Sequence, residues 1–148
     1  MNEMFNLDDC MAFITSRSAK IFSETMEQRL SPYSITRPQW VAIYYIYTSN
    51  SITQRVLADK MSVKEPTVVR LIQKMEQEGL LTRFGIAGDK RVKQLHLTKK
   101  GTNLYHELLP VAEKFMNDTI EGISKENLQI LKDTLSMMVY NALKKRSQ

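Results

Sequence analysis

Two helical patterns separated by a few residues, stopped by a glycine and followed at once by two β-rich runs, leave a chain few ways to fold. That combination occupies residues 53–101. The first pattern, TQRVLADK, runs into Met61 and turns Val56, Leu57 and Met61 toward one side. MSVKEP interrupts it. Ser62 and Glu65 have the S-x-x-E spacing of a capping box, and Pro66 suits a first helical turn, where its missing N–H costs nothing. TVVRLIQKMEQE then repeats Val68, Leu71, Ile72 and Met75 at helical spacing, and Gly79 stands where a C-terminal cap belongs. A short helix, a tight link and a second helix of about three turns is the helix-turn-helix arrangement, with Ala58 as the small residue where the two cross. An ordinary helical hairpin with solvated charges would carry the same pattern.

The next segment separates those readings. LLTRF and VKQLHLT are short and rich in β-formers, and between them GIAGDKR has turn chemistry, so a hairpin is expected. A hairpin placed directly after the second helix makes a winged helix. Its tip carries Asp89, Lys90 and Arg91, with Lys93 behind. Charge agrees with this. The net +5 of the 148 residues is not spread out: residues 51–100 hold 11 basic and 5 acidic side chains, whereas residues 1–50 are net −1 and residues 101–148 neutral. A concentrated basic segment is an expected footprint of a polyanion partner, nucleic acid first and a membrane surface second, and the partner expected here is double-stranded DNA. In helix-turn-helix proteins the second helix enters the major groove. Here its early turns offer Lys64, Glu65, Pro66, Thr67, Arg70 and Lys74, with Gln54 at the start of the preceding helix. Arg70 can make a two-pronged contact to guanine and Lys74 can reach a phosphate. A thin basic tip fits a narrow minor groove, where negative potential attracts arginine. Asp89 would repel phosphate there unless it pairs with a cation, which assigns it the orienting of Arg91 or of a recognition-helix residue.

The flanks are helical. Leu7 to Leu30 reads as one helix on Leu7, Met11, Ile14, Ile21 and Met26. SPYSITRP is a loop, with Pro38 in the first turn of PQWVAIYYIYT, which is apolar on nearly every side and so central. SNSIT offers caps for the helix that follows. Lys99 to Ile120 and Lys125 to Lys145 give two more helices, with Pro110 able to kink the first and Gly122 and Ser124 breaking the run. The fold class is therefore mainly α with a small β-hairpin wing, a winged helix-turn-helix with about six helices. The first and last helices could pack together within one subunit or form the interface of a symmetric dimer.

The sequence resembles the MarR family of bacterial and archaeal transcription regulators. The matching pieces are PQW at 38–40, LADKM at 57–61, TVVRLIQKMEQEGLLTR at 67–83, D-K-R at 89–91 and LTKKG at 97–101. Their order and spacing agree over nearly the whole chain, and D-x-R followed by LTxxG is the most specific part. The resemblance implies one MarR-like chain over 1–148. Residues 1–34 and 106–148 would supply dimerisation helices, and 35–105 a winged helix-turn-helix DNA-binding lobe. The chain is read as a repressor, and its single cysteine suits a cytoplasmic location. The resemblance implies a homodimer on a pseudo-palindromic operator, with Arg91 in the minor groove. It also implies release of DNA on binding a small aromatic or phenolic effector, for which Arg17, Trp40 and Tyr44 are the candidate lining residues; Trp40 and Tyr44 could equally be core aromatics. Two positions depart from the family pattern. Pro66 stands where many members have a small polar residue, and Val69 where many have a second threonine. Base readout is then lean and apolar, toward thymine methyls.

Other chemistries find less support. Cys10 is the one cysteine, so no intrachain disulfide is possible. The OhrR group of the family senses peroxides through a cysteine in the first helix. Alignment on PQW puts Ala12, not Cys10, at that position, and Asp8 and Asp9 replace the cations a reactive thiol needs. Redox sensing through Cys10 and nonspecific architectural DNA binding remain the alternatives. His96 and His106 are the only histidines, so no metal site or cofactor is expected. No nucleophile–base, phosphate-loop or H-E-x-x-H pattern occurs, and an enzyme is not expected. No apolar run approaches a membrane span, and MNEMFNLDDC lacks the features of a signal peptide.

Overall fold

The computed structural model describes residues 4–86 and 88–146, and the side chains of residues 86 and 89–91 lie outside the description. The chain divides into two compact units, Met1–Glu113 and Lys114–Gln148. The first contains α1 (Met11–Leu30), α2 (Arg37–Thr48), β1 (Ile52–Thr53), α3 (Gln54–Met61), α4 (Glu65–Gln77), β2 (Leu81–Ile86), β3 (Asp89–Leu97) and most of α5 (Lys99–Ile120). The second contains the end of α5 and α6 (Lys125–Lys144).

The expected single helix from Leu7 is interrupted. Asn6 accepts from the Asp8 amide and closes a 3-10 turn over Leu7–Asp9. Cys10 is then extended, and the regular helix starts at Met11. Asn competes for backbone donors in this way wherever it precedes a helix. Further on, Thr36 and Gln39 make a reciprocal capping box for α2, with Pro38 in the first turn as expected. The Thr53 hydroxyl accepts from the Val56 amide and caps α3.

The expected Ser62–Glu65 capping box does not form. Ser62 is left-handed, φ 56°, and its amide bonds back to the carbonyls of Ala58 and Asp59. It ends α3, whereas an N-cap needs an extended backbone. Lys64 takes the N-cap position of α4 without a side-chain bond. Val56, expected on the buried side of α3, is 43% exposed; Leu57 and Ala58 are buried instead. Gly79 does end α4: at φ +75°, its amide reaches the Glu76 carbonyl and the Leu80 amide reaches that of Met75, the Schellman arrangement.

The hairpin forms as expected, but the sheet has three strands in the order β1-β3-β2. Ile52 pairs with Leu95 and Thr53 with Gln94, so the short segment before α3 ties the helix-turn-helix to the wing. On the other edge, Leu81 pairs with Leu97 and Gly85 with Lys93, after which the register shifts so that Ile86 pairs with Asp89. The core of the first unit is made by Leu30, Ile43, Ile52, Leu57, Val68, Ile72, Met75, Leu81, Leu95 and Leu108, all fully buried.

Two helices leave apolar residues uncovered. Met11, Ile21 and Phe22 of α1 are each more than half exposed. Along α6 the same holds for Ile130, Leu131, Met137, Val139, Tyr140 and Leu143, and no described α6 residue is buried.

Candidate nucleic-acid interface

The first two turns of α4 face solvent on one side and the core on the other. Val68, Ile72 and Met75 point inward, while Lys64, Glu65, Pro66, Thr67, Arg70 and Lys74 are exposed. An α-helix with apolar residues at i, i+4 and i+7 must turn its intervening positions outward. The Arg70 side chain folds back along the helix, its Nε donating to the Pro66 carbonyl at 3.4 Å. Gln54 opens α3 and is half-buried, with its side-chain oxygen buried and without a hydrogen-bond partner among the described residues. Lys93 lies across Gly85 on the hairpin, its Nζ 3.7 Å from the place a β-carbon would take. Asp89, Lys90 and Arg91 belong to the backbone of β3 at the hairpin tip. The expected orienting role of Asp89 falls on side chains outside the described residues.

A group of contacts fixes the far end of α4, and sequence reasoning missed it. Thr98 donates its amide to the Leu80 carbonyl at 3.0 Å and its hydroxyl to the Gly79 carbonyl at 2.6 Å. The same hydroxyl oxygen accepts from the Gly101 amide at 3.1 Å, which caps α5. Lys100 Nζ donates to the Glu78 carbonyl at 2.8 Å. Gly101 sits so close to the Leu80 backbone that a β-carbon there would fall 2.0 Å from the Leu80 oxygen. From the other side, buried Gln39 donates its side-chain amide to Glu78 Oε2 at 3.1 Å while its oxygen caps α2. The end of α4, the root of the hairpin and the starts of α2 and α5 are thus joined by hydrogen bonds to one another. The Thr36-x-x-Gln39 spacing was the available signal for the first of these links.

Beside this junction, Arg83 of β2 holds Glu76 of α4 through two bonds, Nε to Oε2 at 3.3 Å and Nη2 to Oε1 at 3.0 Å. That hydrogen bonding to Arg83, helped by its charge and opposed by burial, holds the Glu76 carboxyl below its usual 4.5.

The chain matches the sequence model of the MarR family over residues 35–93, the span that carries α2, the helix-turn-helix and the hairpin. Over that span the chain is similar to the MarR family. Solved MarR-like structures share the fold over nearly their whole length. The MepR–DNA complex of S. aureus is 22% identical, with a TM-score of 0.82 over 89% of this chain and 98% of that one. CouR from Rhodococcus jostii RHA1, bound to p-coumaroyl-CoA, is 21% identical, with a TM-score of 0.81 over 91% and 95%. BpsR of Bordetella bronchiseptica, whose DNA binding is regulated by 6-hydroxynicotinic acid, is 18% identical, with a TM-score of 0.83 over 92% and 97%.

The three residues expected to line an effector pocket lie in different surroundings. Trp40 is buried, stacked on Tyr105 at 5.9 Å and tilted against Tyr44 at 6.1 Å. Tyr44 is 40% exposed. Tyr105 also stacks on Tyr47 at 3.8 Å, and its burial, with the neighbouring Tyr47, Tyr44 and Glu113, pushes its hydroxyl above the usual 10.0. Arg17 instead lines a groove of about 530 Å³ together with Asp8, Phe13, Ile14, Ser18 and Ile21. Cys10 is half-buried at the start of α1. His96 meets the Phe84 ring edge-on, and His106 lies 3.5 Å from the Tyr47 hydroxyl. Among the described residues no three His, Cys, Asp or Glu side chains are grouped for a metal, and no helix is long and apolar enough to cross a membrane.

Proposed function

We propose that this chain binds duplex DNA as a homodimer and represses transcription, with α4 in the major groove and the hairpin tip in the adjacent minor groove. The observation that carries this is the exposed early face of α4, with Lys64, Arg70 and Lys74, set by hydrogen bonds against the root of a basic hairpin. Gln54, Pro66, Thr67, Asp89, Lys90, Arg91 and Lys93 complete the proposed contact set. The MepR–DNA complex of the same fold supports the docking. Phosphate contacts from lysine and arginine supply most of the affinity, so binding falls steeply with salt.

The uncovered apolar residues of α1 and α6 support the dimer, because monomeric proteins rarely leave such patches in water. Residues 1–34 and 106–148 are then the dimerisation segments and 35–105 the DNA-binding lobe. A two-fold dimer reads a pseudo-palindrome. A small aromatic or phenolic effector, of the kind named for CouR and BpsR, would change the spacing of the two α4 helices and so release a site of fixed spacing. Selection of bound sequences from random duplex DNA tests the reading. A recovered inverted repeat supports it, equal recovery of all sequences makes the chain an architectural binder, and no recovery sinks DNA binding. Arg91→Ala should weaken the selected site and lower its salt slope by about one. An oxidant response that disappears in Cys10→Ser would move the trigger to the thiol.

A further inference from the structure

The early face of α4 carries a feature that bears on which bases it reads. Glu65, Pro66, Val69 and Arg70 enclose a shallow hollow of about 480 Å³ on the helix surface. Its apolar lining is Pro66 and the half-buried Val69. Its charged lining is Glu65 and Arg70, the latter bonded to the Pro66 carbonyl. The single hydroxyl in these turns, that of Thr67, does not line the hollow; it lines a groove with Val68, Leu71 and residues of α2 and α3. The hollow therefore holds no neutral polar side chain, and Pro66 brings no N–H of its own.

Of the four bases, only thymine presents an apolar group, its 5-methyl, at the major-groove edge. A carboxylate in the lining disfavours guanine, whose edge offers only acceptors, and accepts from an amino group such as the N6 of the adenine paired with thymine. We propose that the Pro66–Val69 hollow reads thymine methyl groups, so that this chain recognises its half-site partly through apolar contact at T·A pairs. The inference rests on α4 entering the major groove, as proposed above.

The test uses duplexes recovered from random-sequence selection, with each thymine replaced singly by deoxyuridine, which removes the methyl and leaves pairing intact. The full-length protein should lose about fourfold in affinity at one or two thymines of each half-site, the ratio expected for one buried methyl-sized group. In Val69→Ala, the thymine and deoxyuridine duplexes should bind almost equally at those positions. Val69→Thr keeps the side-chain shape and should reduce the same difference, which covers the case in which the smaller variant folds poorly. A flat deoxyuridine scan overturns the inference while leaving DNA binding intact. So does a methyl effect that both variants keep unchanged. A selection that retains no duplex overturns both readings.

Discussion

Gly101→Ala should destabilise the protein although Gly101 is helical. In the interior of a helix, alanine normally gains about 1 kcal/mol over glycine. Here the added β-carbon would lie 2.0 Å from the Leu80 carbonyl oxygen, 3.0 Å from its carbon and 3.3 Å from Leu97 Cδ2. Real β-carbons essentially never come within 3.0 Å of another heavy atom, so about 1 Å of separation is required, and the obstacle is backbone. Moving α5 away stretches the Thr98–Leu80 bond, now 3.0 Å, and the Thr98 hydroxyl contacts beside it. Overpacking costs about 1–3 kcal/mol and a lost hydrogen bond about 1 kcal/mol. The propensity gain offsets about 1 kcal/mol of that, leaving a net loss of about 1–3 kcal/mol. For a chain of this size the melting temperature should fall by about 2–12 °C. Urea unfolding at one fixed protein concentration measures the loss, since dimerisation would make stability concentration-dependent. Gly85→Ala is the control: its β-carbon would meet only Lys93 Nζ, at 3.7 Å, and should stay within about 0.5 kcal/mol of the parent. A Gly101→Ala protein as stable as the parent, or more so, would refute the close approach as the reason for glycine there.

Three further outcomes are expected. Glu76→Gln should cost less than about 1 kcal/mol at neutral pH, because the pair with Arg83 is partly exposed. Since the folded carboxyl lies below 4.5, its contribution is full above that value and fades as pH falls through the folded one; the gap between parent and variant in urea melts should close on acidification. Gln39→Leu leaves the Thr36 amide and the Glu78 carboxylate without their side-chain partner and should destabilise by about 1–3 kcal/mol, with helix content by circular dichroism unchanged in strong excess of folded protein. Tyr140→Glu, on the uncovered face of α6, should halve the sedimenting mass without loss of helix; an unchanged mass would place the dimer contact elsewhere.

Much of this architecture was readable because it is local. The stripe Val68, Ile72, Met75 and the glycine at 79 define α4 within one stretch of chain, and β-formers around GIAGDKR define the hairpin. The departures arise where distant or competing partners decide. Ile52 and Thr53 are strand only because Leu95 and Gln94 lie beside them, and two residues carry no periodicity. Ser62 matches a capping box by spacing, but the end of α3 takes its backbone first. Gln39, Thr98 and Gly101 were visible as family-like letters. Their physical purpose depends on Glu78, Gly79 and Leu80, which spacing alone does not bring near. The exposed face of α4 was legible for the same reason as the helix itself. The surroundings of Trp40 were not, because Tyr105, which stacks on it, comes from an element far apart in sequence.

The bonds from Thr98 to Gly79 and Leu80 close the 79–98 segment on itself, so the hairpin is a loop whose two ends are clamped at one point. Its reach from α4 is then a matter of how many residues the loop contains, as with a caliper set by its arm length. Substitutions along the arm change what the tip touches. Under the proposed docking, insertions or deletions would change where on a duplex the tip reaches, in steps of a strand residue, about 3.3 Å each. A change in hairpin length would then be the most direct route to measuring a different distance along DNA.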